Sequence, residues 1–265
     1  MREGRASTTA TLVAAARGAA GVDPIASRLV PRGLSRVARP GRHRIVRRLP
    51  MVEHMRARTL AADRAIVEAI EDGSRQLVVL GAGLCARAWR MPVLAETIVY
   101  EVDHPSTQRY KRSRLAELEP KAREVRFASV DFEAEDLSLT LANAGHDASA
   151  GTTWIWEGVT PYLTPLAIAR TLEGASARSA AGSTLIMTYA MPVARSRGRF
   201  AEWLLHEGLR AIGEPLEGLM GARAAHRLVE ASGFEITKDA RVDVLGGKRR
   251  AHALVAERLL VAVRR

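Results

Sequence analysis

The sequence predicts an α/β fold with an open, mostly parallel sheet, and two observations lead to that prediction. Apolar, β-branched strand segments alternate with helical segments along most of the chain, as in parallel sheets. Near the C-terminus two strand segments come close together, which fits one antiparallel strand closing the sheet. The predicted strands are Leu77–Leu80, Thr97–Tyr100 continuing to Asp103, Val125–Val130, Thr152–Trp156, Thr184–Tyr189, Phe234–Thr237 and a seventh within 251–263. The later helices are predicted over Arg195–Ala211, before a break at Gly213–Pro215, and over Leu219–Ser232.

A glycine-rich turn follows the first strand and indicates a nucleotide site. Gly81 and Gly83 let the backbone turn tightly and approach a ligand. Asp103 closes the second strand 22 residues later (103 − 81), near the ~20 expected for an acid that binds a ribose diol. A dinucleotide loop would need glycine at position 86, where the chain has Ala86, so the turn favours the shorter loop of S-adenosylmethionine enzymes. An ordinary strand-to-helix turn remains the alternative.

Composition narrows the class of protein. One cysteine, Cys85, excludes an internal disulfide and fits a reducing compartment. There is no signal-like apolar segment near the N-terminus and no run of ~18 apolar residues, so we expect a cytoplasmic protein that does not enter a membrane.

The net charge of +11 comes largely from arginines between Arg28 and Arg58, where Glu53 is the only acid. Such a stretch could bind nucleic acid. No aromatic residue interleaves it for base stacking, so we favour solvated helix faces and consider a nucleic-acid partner unlikely. A non-catalytic protein that binds a cofactor, or that binds RNA through this basic stretch, remains the alternative from another class.

The N-terminal part is predicted to form a helical cap. Residues 6–20 look helical, with Ser7 or Thr8 as the N-cap, and prolines and glycines break the sequence that follows. This part has no strand signal, so we assign 1–52 to a cap and 53–265 to the ligand-binding domain. A helix over Val52–Ile70 carries Arg58, which could hold a carboxylate.

Two further strands end on residues that suit a ligand crevice. Asp131 and Phe132 follow the third strand, and could accept from an adenine amino group and stack on its ring; a helix cap and a core phenylalanine are equally good interpretations. Glu157 follows the central fourth strand, at the edge where open α/β sheets bind ligands.

These pieces together resemble the leucine carboxyl methyltransferase-like family of S-adenosylmethionine-dependent methyltransferases, whose fold is a Rossmann-like seven-stranded sheet. The nearest branch is the bacterial group that includes O-methyltransferases of natural-product pathways. The motifs run in the family's order over nearly the whole chain: Ser7–Ala10, Arg17, Asp23-Pro24, Arg58-Thr59, Gln76–Leu84, Glu101–Pro105 with Gln108 and Lys111, Asp131-Phe132, Glu157–Leu163, Gly182-Ser183, Gly213–Pro215 and Gly233-Phe234.

The resemblance implies S-adenosyl-L-methionine as cofactor and a role for each matched residue. Arg58 would hold the methionine carboxylate, and Glu157 would lie near the amino group or sulfonium. The remaining contacts would come from Gly81, Ala82 and Gly83 against the ligand, Glu101 and Asp103 on the ribose, Asp131 and Phe132 around the adenine, and Tyr162 on the substrate side.

One departure leaves the reaction open. Where the family has Asp-Thr, this chain has Cys85-Ala86. We expect methyl transfer to a carboxylate or hydroxyl oxygen of a small molecule. The alternative is chemistry on the cofactor's aminocarboxypropyl chain, by cyclisation or transfer, with release of methylthioadenosine. Tyr162, Glu157 and the histidines His104, His146 and His206 are the candidate catalytic residues; no cluster has metal-ligand spacing. The sequence does not identify the acceptor or the oligomeric state.

Overall fold

The computed structural model describes residues 7–39, 46–192, 216–245 and 256–265. A seven-stranded sheet has the order β3-β2-β1-β4-β5-β7-β6, in which β7 runs antiparallel to both of its neighbours. Its strands are β1 Gln76–Leu80, β2 Ile98–Asp103, β3 Glu124–Ser129, β4 Thr152–Trp156, β5 Thr184–Met191, β6 Phe234–Arg241 and β7 Ala256–Arg264. The predicted Rossmann-like sheet is confirmed, including its closing antiparallel strand.

Helices connect the strands and cover both faces of the sheet. They are α1 Thr8–Ala19, α2 Ala26–Leu29, α3 Arg32–Ser35, α4 Pro50–Glu71, α5 Arg87–Arg90, α6 Pro105–Leu115, α7 Leu137–Asn143, α8 Pro165–Ala177, α9 Ala222–Ala231 and α10 Val242–Leu245. Short 3-10 turns lie at Val46–Arg48, Pro92–Glu96 and Thr160–Tyr162. No helix within the described ranges is both long enough and apolar enough to pass through a bilayer.

The strand order reverses between β1 and β4, and that point locates the ligand edge. Leu80 at the end of β1 is in register with Val102 of β2 and Trp156 of β4. Residues that leave these strands therefore meet at one edge, where open α/β sheets bind their ligands.

The strands bury side chains on both faces because successive residues point in opposite directions. Val79 and Leu77 pack against the α4 side, and Val78 and Leu80 pack against the α7–α9 side. The N-terminal helices share the α4-side core. The predicted boundary at 52/53 falls inside α4; the division into cap and ligand-binding domain remains a prediction.

Several predicted boundaries move because of tertiary contacts. Strands β5 and β6 run longer than predicted because both pair along β7, with a register shift between Ile236 and Lys238. The helix predicted from Leu219 begins at Ala222, since the Met220 N–H donates to the Ala190 carbonyl (2.9 Å) and keeps that segment extended. The predictions for Arg195–Ala211 and Gly213–Pro215 lie outside the described residues.

Candidate functional site

A cavity of about 500 Å³ opens at the carboxyl edge of the sheet. Its wall combines α1 and α4 with the segments that follow β1, β2, β3 and β4. The lining includes these predicted site residues: Arg58, Gly81, Ala82, Gly83, Asp103, Asp131, Phe132, Glu157 and Tyr162. The structure therefore brings together every predicted cofactor residue except Glu101.

The turn that follows β1 requires glycine at two positions. Gly81 and Gly83 have φ of +64° and +49°, a region that disfavours side chains. A Cβ on Gly81 would also lie 2.3 Å from Val159 Cγ2. This tight turn brings backbone N–H groups to the cavity wall.

Asp103 is anchored by the backbone around it. Its carboxylate accepts hydrogen bonds from the Gly83 N–H and from the His104 N–H (2.6 Å for the latter). Burial raises the pKa of Asp103, and the two backbone hydrogen bonds oppose that rise. Asp131 and Phe132 lie nearby; Asp131 is exposed, and the Phe132 ring is half-buried with its centroid 6.5 Å from that of Trp156. We call Asp103, Asp131 and Phe132 the β2–β3 end of the cavity.

Buried ion pairs form the opposite end. Arg58 Nε donates to Glu157 Oε1 (2.9 Å), and Arg87 Nη2 donates to Glu157 Oε2 (2.6 Å). Arg87 Nε also donates to Asp63 Oδ1 (2.7 Å). Burial alone would raise the pKa of Glu157, but Arg87 and Arg58 outweigh it and hold that pKa far below its ordinary value. We call Arg58, Arg87 and Glu157 the ion-pair end.

Glu101 does not line the cavity. It is 1% exposed, and its carboxylate pairs with the equally buried Lys111 of α6 at 2.6 Å. Burial raises the pKa of Glu101, and Lys111 opposes the rise. Glu101 shares a strand face with Asp103 as predicted, but it lies two residues deeper in β2, where Lys111 reaches it. Its expected place beside the ribose therefore needs correction.

The candidate bases separate in the structure. Tyr162 and His104 line the cavity, and His104 Nδ1 accepts from the Ser106 N–H (3.2 Å) at the start of α6. His146 lies at the other edge of the sheet, where its Nε2 is 3.1 Å from Thr152 Oγ1. The prediction that His146 could act as the base is therefore wrong. Burial lowers the pKa of His146 to about 4, as expected for a core histidine. His206 lies outside the described residues.

Cys85 and Arg17 add to the ion-pair end. Cys85 is buried against the cavity, and Arg87 Nη1 lies 3.5 Å from its Sγ. Arg17 of α1 also lines the cavity and is 6% exposed, and its Nε has no hydrogen-bond partner among the residues that the structure describes. No sequence pattern predicted a role for Arg17, although it belongs to the family's motifs. Within the described residues, no group of three His, Cys, Asp or Glu side chains could hold a metal ion.

The strand order and the cavity define the class as a Rossmann-like α/β fold of the methyltransferase type. A DUF574 family protein from Streptomyces avermitilis is similar over 98% of both chains, with a TM-score of 0.65 and 17% identity. A 1,6-didemethyltoxoflavin-N1-methyltransferase from Burkholderia thailandensis, solved with S-adenosylhomocysteine, is similar over 78% of both chains, with a TM-score of 0.50 and 17% identity.

The leucine carboxyl methyltransferase family model matches residues 6–176, and the chain belongs to that family. A relative from Mycobacterium ulcerans, named "Putative S-adenosyl-L-methionine-dependent methyltransferase", is 41% identical over 51% of this chain and 44% of its own length. A relative of the same name from Mycolicibacterium gilvum is 38% identical over 63% of this chain and 52% of its own. The chain thus spans about half the length of these relatives.

Proposed function

We propose that this protein is an S-adenosylmethionine-dependent methyltransferase that transfers a methyl group to an oxygen of a small molecule. The observation that supports this best is the pairing of two unlike ends in one cavity. At one end the backbone anchors Asp103; at the other lie buried cations. A nucleoside joined to an amino acid needs both. The volume of about 500 Å³ is also within the range of small-molecule sites.

The β2–β3 end suits an adenosine. The backbone N–H groups of Gly83 and His104 leave the Asp103 carboxylate fixed at the cavity wall, where its lone pairs can accept from ribose hydroxyls. Asp131 can accept from the adenine amino group, and Phe132 offers a ring for stacking. Glu101 supports β2 from below through Lys111 and does not contact the ribose in this proposal.

The ion-pair end suits the methionine part. Arg58 and Arg17 can hold its carboxylate, and the ionised Glu157 can accept from its amino group. The bound cofactor would supply a methyl group activated by its sulfonium. The chain's part is to place the acceptor oxygen in line with that methyl group and to exclude water. Tyr162 lines the cavity and can orient the acceptor.

An oxygen acceptor is supported by the name of the matching family, leucine carboxyl methyltransferase. Arg17, whose Nε has no partner within the described part of the chain, adds a buried cation that favours anionic ligands in this cavity. A carboxylate needs no base, which fits a site whose described lining has one histidine, with Nδ1 already engaged by backbone. We also propose a role in secondary metabolism, which only the resemblance of the motifs supports.

Two measurements test the proposal. Calorimetry with S-adenosylhomocysteine should show one site per chain. Incubation with methyl-labelled cofactor and a panel of small carboxylic acids and phenols should transfer label, and base treatment should release it from methyl esters but not from ethers. Failure of S-adenosylhomocysteine to bind would contradict the cofactor. Release of methylthioadenosine without an acceptor would contradict methyl transfer and favour chemistry on the aminocarboxypropyl chain.

A further inference from the structure

Arg58 is shared between two carboxylates from distant parts of the chain. Its Nε donates to Glu157 beyond β4, and its Nη1 donates to both oxygens of Glu257 in β7, at 3.1 and 3.3 Å. Glu257 is 9% exposed and lies in register with Ala190 of β5. It lies outside residues 6–176, the segment that defines the family match.

His54 is the second partner of Glu257. Its Nε2 lies 2.6 Å from Glu257 Oε2, and the two side chains are 13% and 8% exposed. His54 is four residues before Arg58 in α4, so both side chains lie on one face of that helix. Burial would raise the pKa of Glu257, but Arg58 and His54 outweigh it and lower that pKa. Glu257 is therefore a carboxylate that faces a cation.

A glycine lies beside the Arg58 guanidinium. Gly158 has a φ of +72°, and a Cβ there would lie 3.1 Å from both Nη1 and Nη2 of Arg58. The Gly158 N–H donates to Thr188 Oγ1 (2.8 Å), and the Thr188 side chain also hydrogen-bonds Glu257. Thus Gly158 lies close against the guanidinium and Glu257 binds its edge, with Thr188 joining the two.

We infer that Glu257, supported by His54, is a positioning residue that orients Arg58 toward the carboxylate of the bound cofactor. The inference rests on the proposed function. Glu157 binds Nε and Glu257 binds Nη1, so among the described residues Nη2 is the nitrogen that remains for a ligand. A guanidinium held at two edges loses little freedom when it binds a third group, and this preorganisation favours affinity. Glu257 itself does not line the cavity and would not touch the ligand.

The test compares two ligands that differ only at the methionine end. S-adenosylhomocysteine carries the carboxylate, and methylthioadenosine lacks the whole aminocarboxypropyl chain. Glu257→Gln should weaken S-adenosylhomocysteine by about tenfold, the size of one hydrogen bond to a charged group, and leave methylthioadenosine within about twofold. Glu235 on β6 is an exposed glutamate that pairs with Arg265, so Glu235→Gln is the matched control and should change neither affinity.

A double-mutant cycle separates positioning from a general effect on the fold. In an Arg58→Lys background, Glu257→Gln should cost no further affinity, because its effect acts through the guanidinium. His54→Gln should weaken S-adenosylhomocysteine in the same direction by about two- to threefold, and it carries the test if Glu257→Gln does not fold.

Three outcomes would overturn the inference. In the first, Glu257→Gln lowers the affinity for both ligands equally. In the second, Glu257→Gln binds S-adenosylhomocysteine more tightly than the wild type does. In the third, the effects of Glu257→Gln and Arg58→Lys on affinity are fully additive. If the wild-type protein binds neither ligand, the proposed function itself is wrong, and that result is distinct from all three.

Discussion

The two ends of the cavity are built in different ways. At the β2–β3 end, Asp103 contacts the N–H groups of Gly83 and His104, and Asp131 and Phe132 are accessible. At the ion-pair end, Glu157 lies between two buried arginines, and the ion pairs continue to Asp63 on one side and Glu257 on the other. The β2–β3 end depends on backbone hydrogen bonds to one carboxylate, and the ion-pair end is a network of charges that runs through the interior.

Because of this difference, substitutions at the two ends should differ in their effects on ligand affinity and on the stability of the fold. Buried charges that lose a partner cost several kcal/mol, because the remaining charge is still desolvated. A ligand-facing carboxylate near solvent costs the fold far less when it is removed. We therefore expect substitutions at the ion-pair end to affect stability and affinity together, and substitution of the exposed Asp131 at the β2–β3 end to affect mainly affinity.

The largest effect is expected from Glu157→Ala. It leaves Arg58 and Arg87 buried without their shared partner, and should lower the free energy of unfolding by about 3–5 kcal/mol. Asp131→Ala, at the exposed β2–β3 end, should cost about 1 kcal/mol or less. Urea unfolding of both variants measures the difference. Similar losses for the two variants would mean that the two ends do not differ in this way.

A change of pH is expected to have a smaller effect, which falls on ligand affinity. Burial raises the pKa of Asp103, whereas Arg87 and Arg58 overcome burial to lower that of Glu157. As pH falls, Asp103 takes up its proton first, at a pH where an ordinary aspartate is still ionised. Protonation removes an acceptor of ribose hydrogen bonds, so affinity for S-adenosylhomocysteine should fall several-fold as the pH is lowered through the range in which Asp103 takes up its proton. Calorimetry across the pH range measures this.

Asp103→Asn is the control for that profile and should bind with an affinity that no longer depends on pH in the same range. A dependence that persists in the variant would assign the titration to another group.

The β2–β3 end could be predicted from sequence because its parts are local. Gly81 and Asp103 lie at the ends of strands that are adjacent in the sheet, and their spacing alone indicates a nucleotide edge. The same logic located Glu157 after the central strand. It misplaced Glu101 because a two-residue period gives the face of a strand but not the depth along it.

The ion-pair end could not be predicted in the same way. Arg58 and Glu157 were each assigned to the ligand, but no local pattern showed that they bind each other. Glu257 reaches Arg58 only because β7 inserts antiparallel between β5 and β6, a register set by long-range pairing. The same pairing lengthened β5 and β6 beyond their predicted ends. His54 was missed because its partner, Glu257, was not known.

We expect this sheet edge to bind an adenosyl cofactor through the carboxylate of Asp103. Titration of S-adenosylhomocysteine into wild-type protein, Asp103→Asn and Asp147→Asn tests it most directly, since Asp147 is an exposed aspartate beyond the cavity lining. We expect Asp103→Asn to weaken binding by about 10- to 100-fold, with wild-type affinity for Asp147→Asn. Equal affinity in all three proteins would contradict the claim.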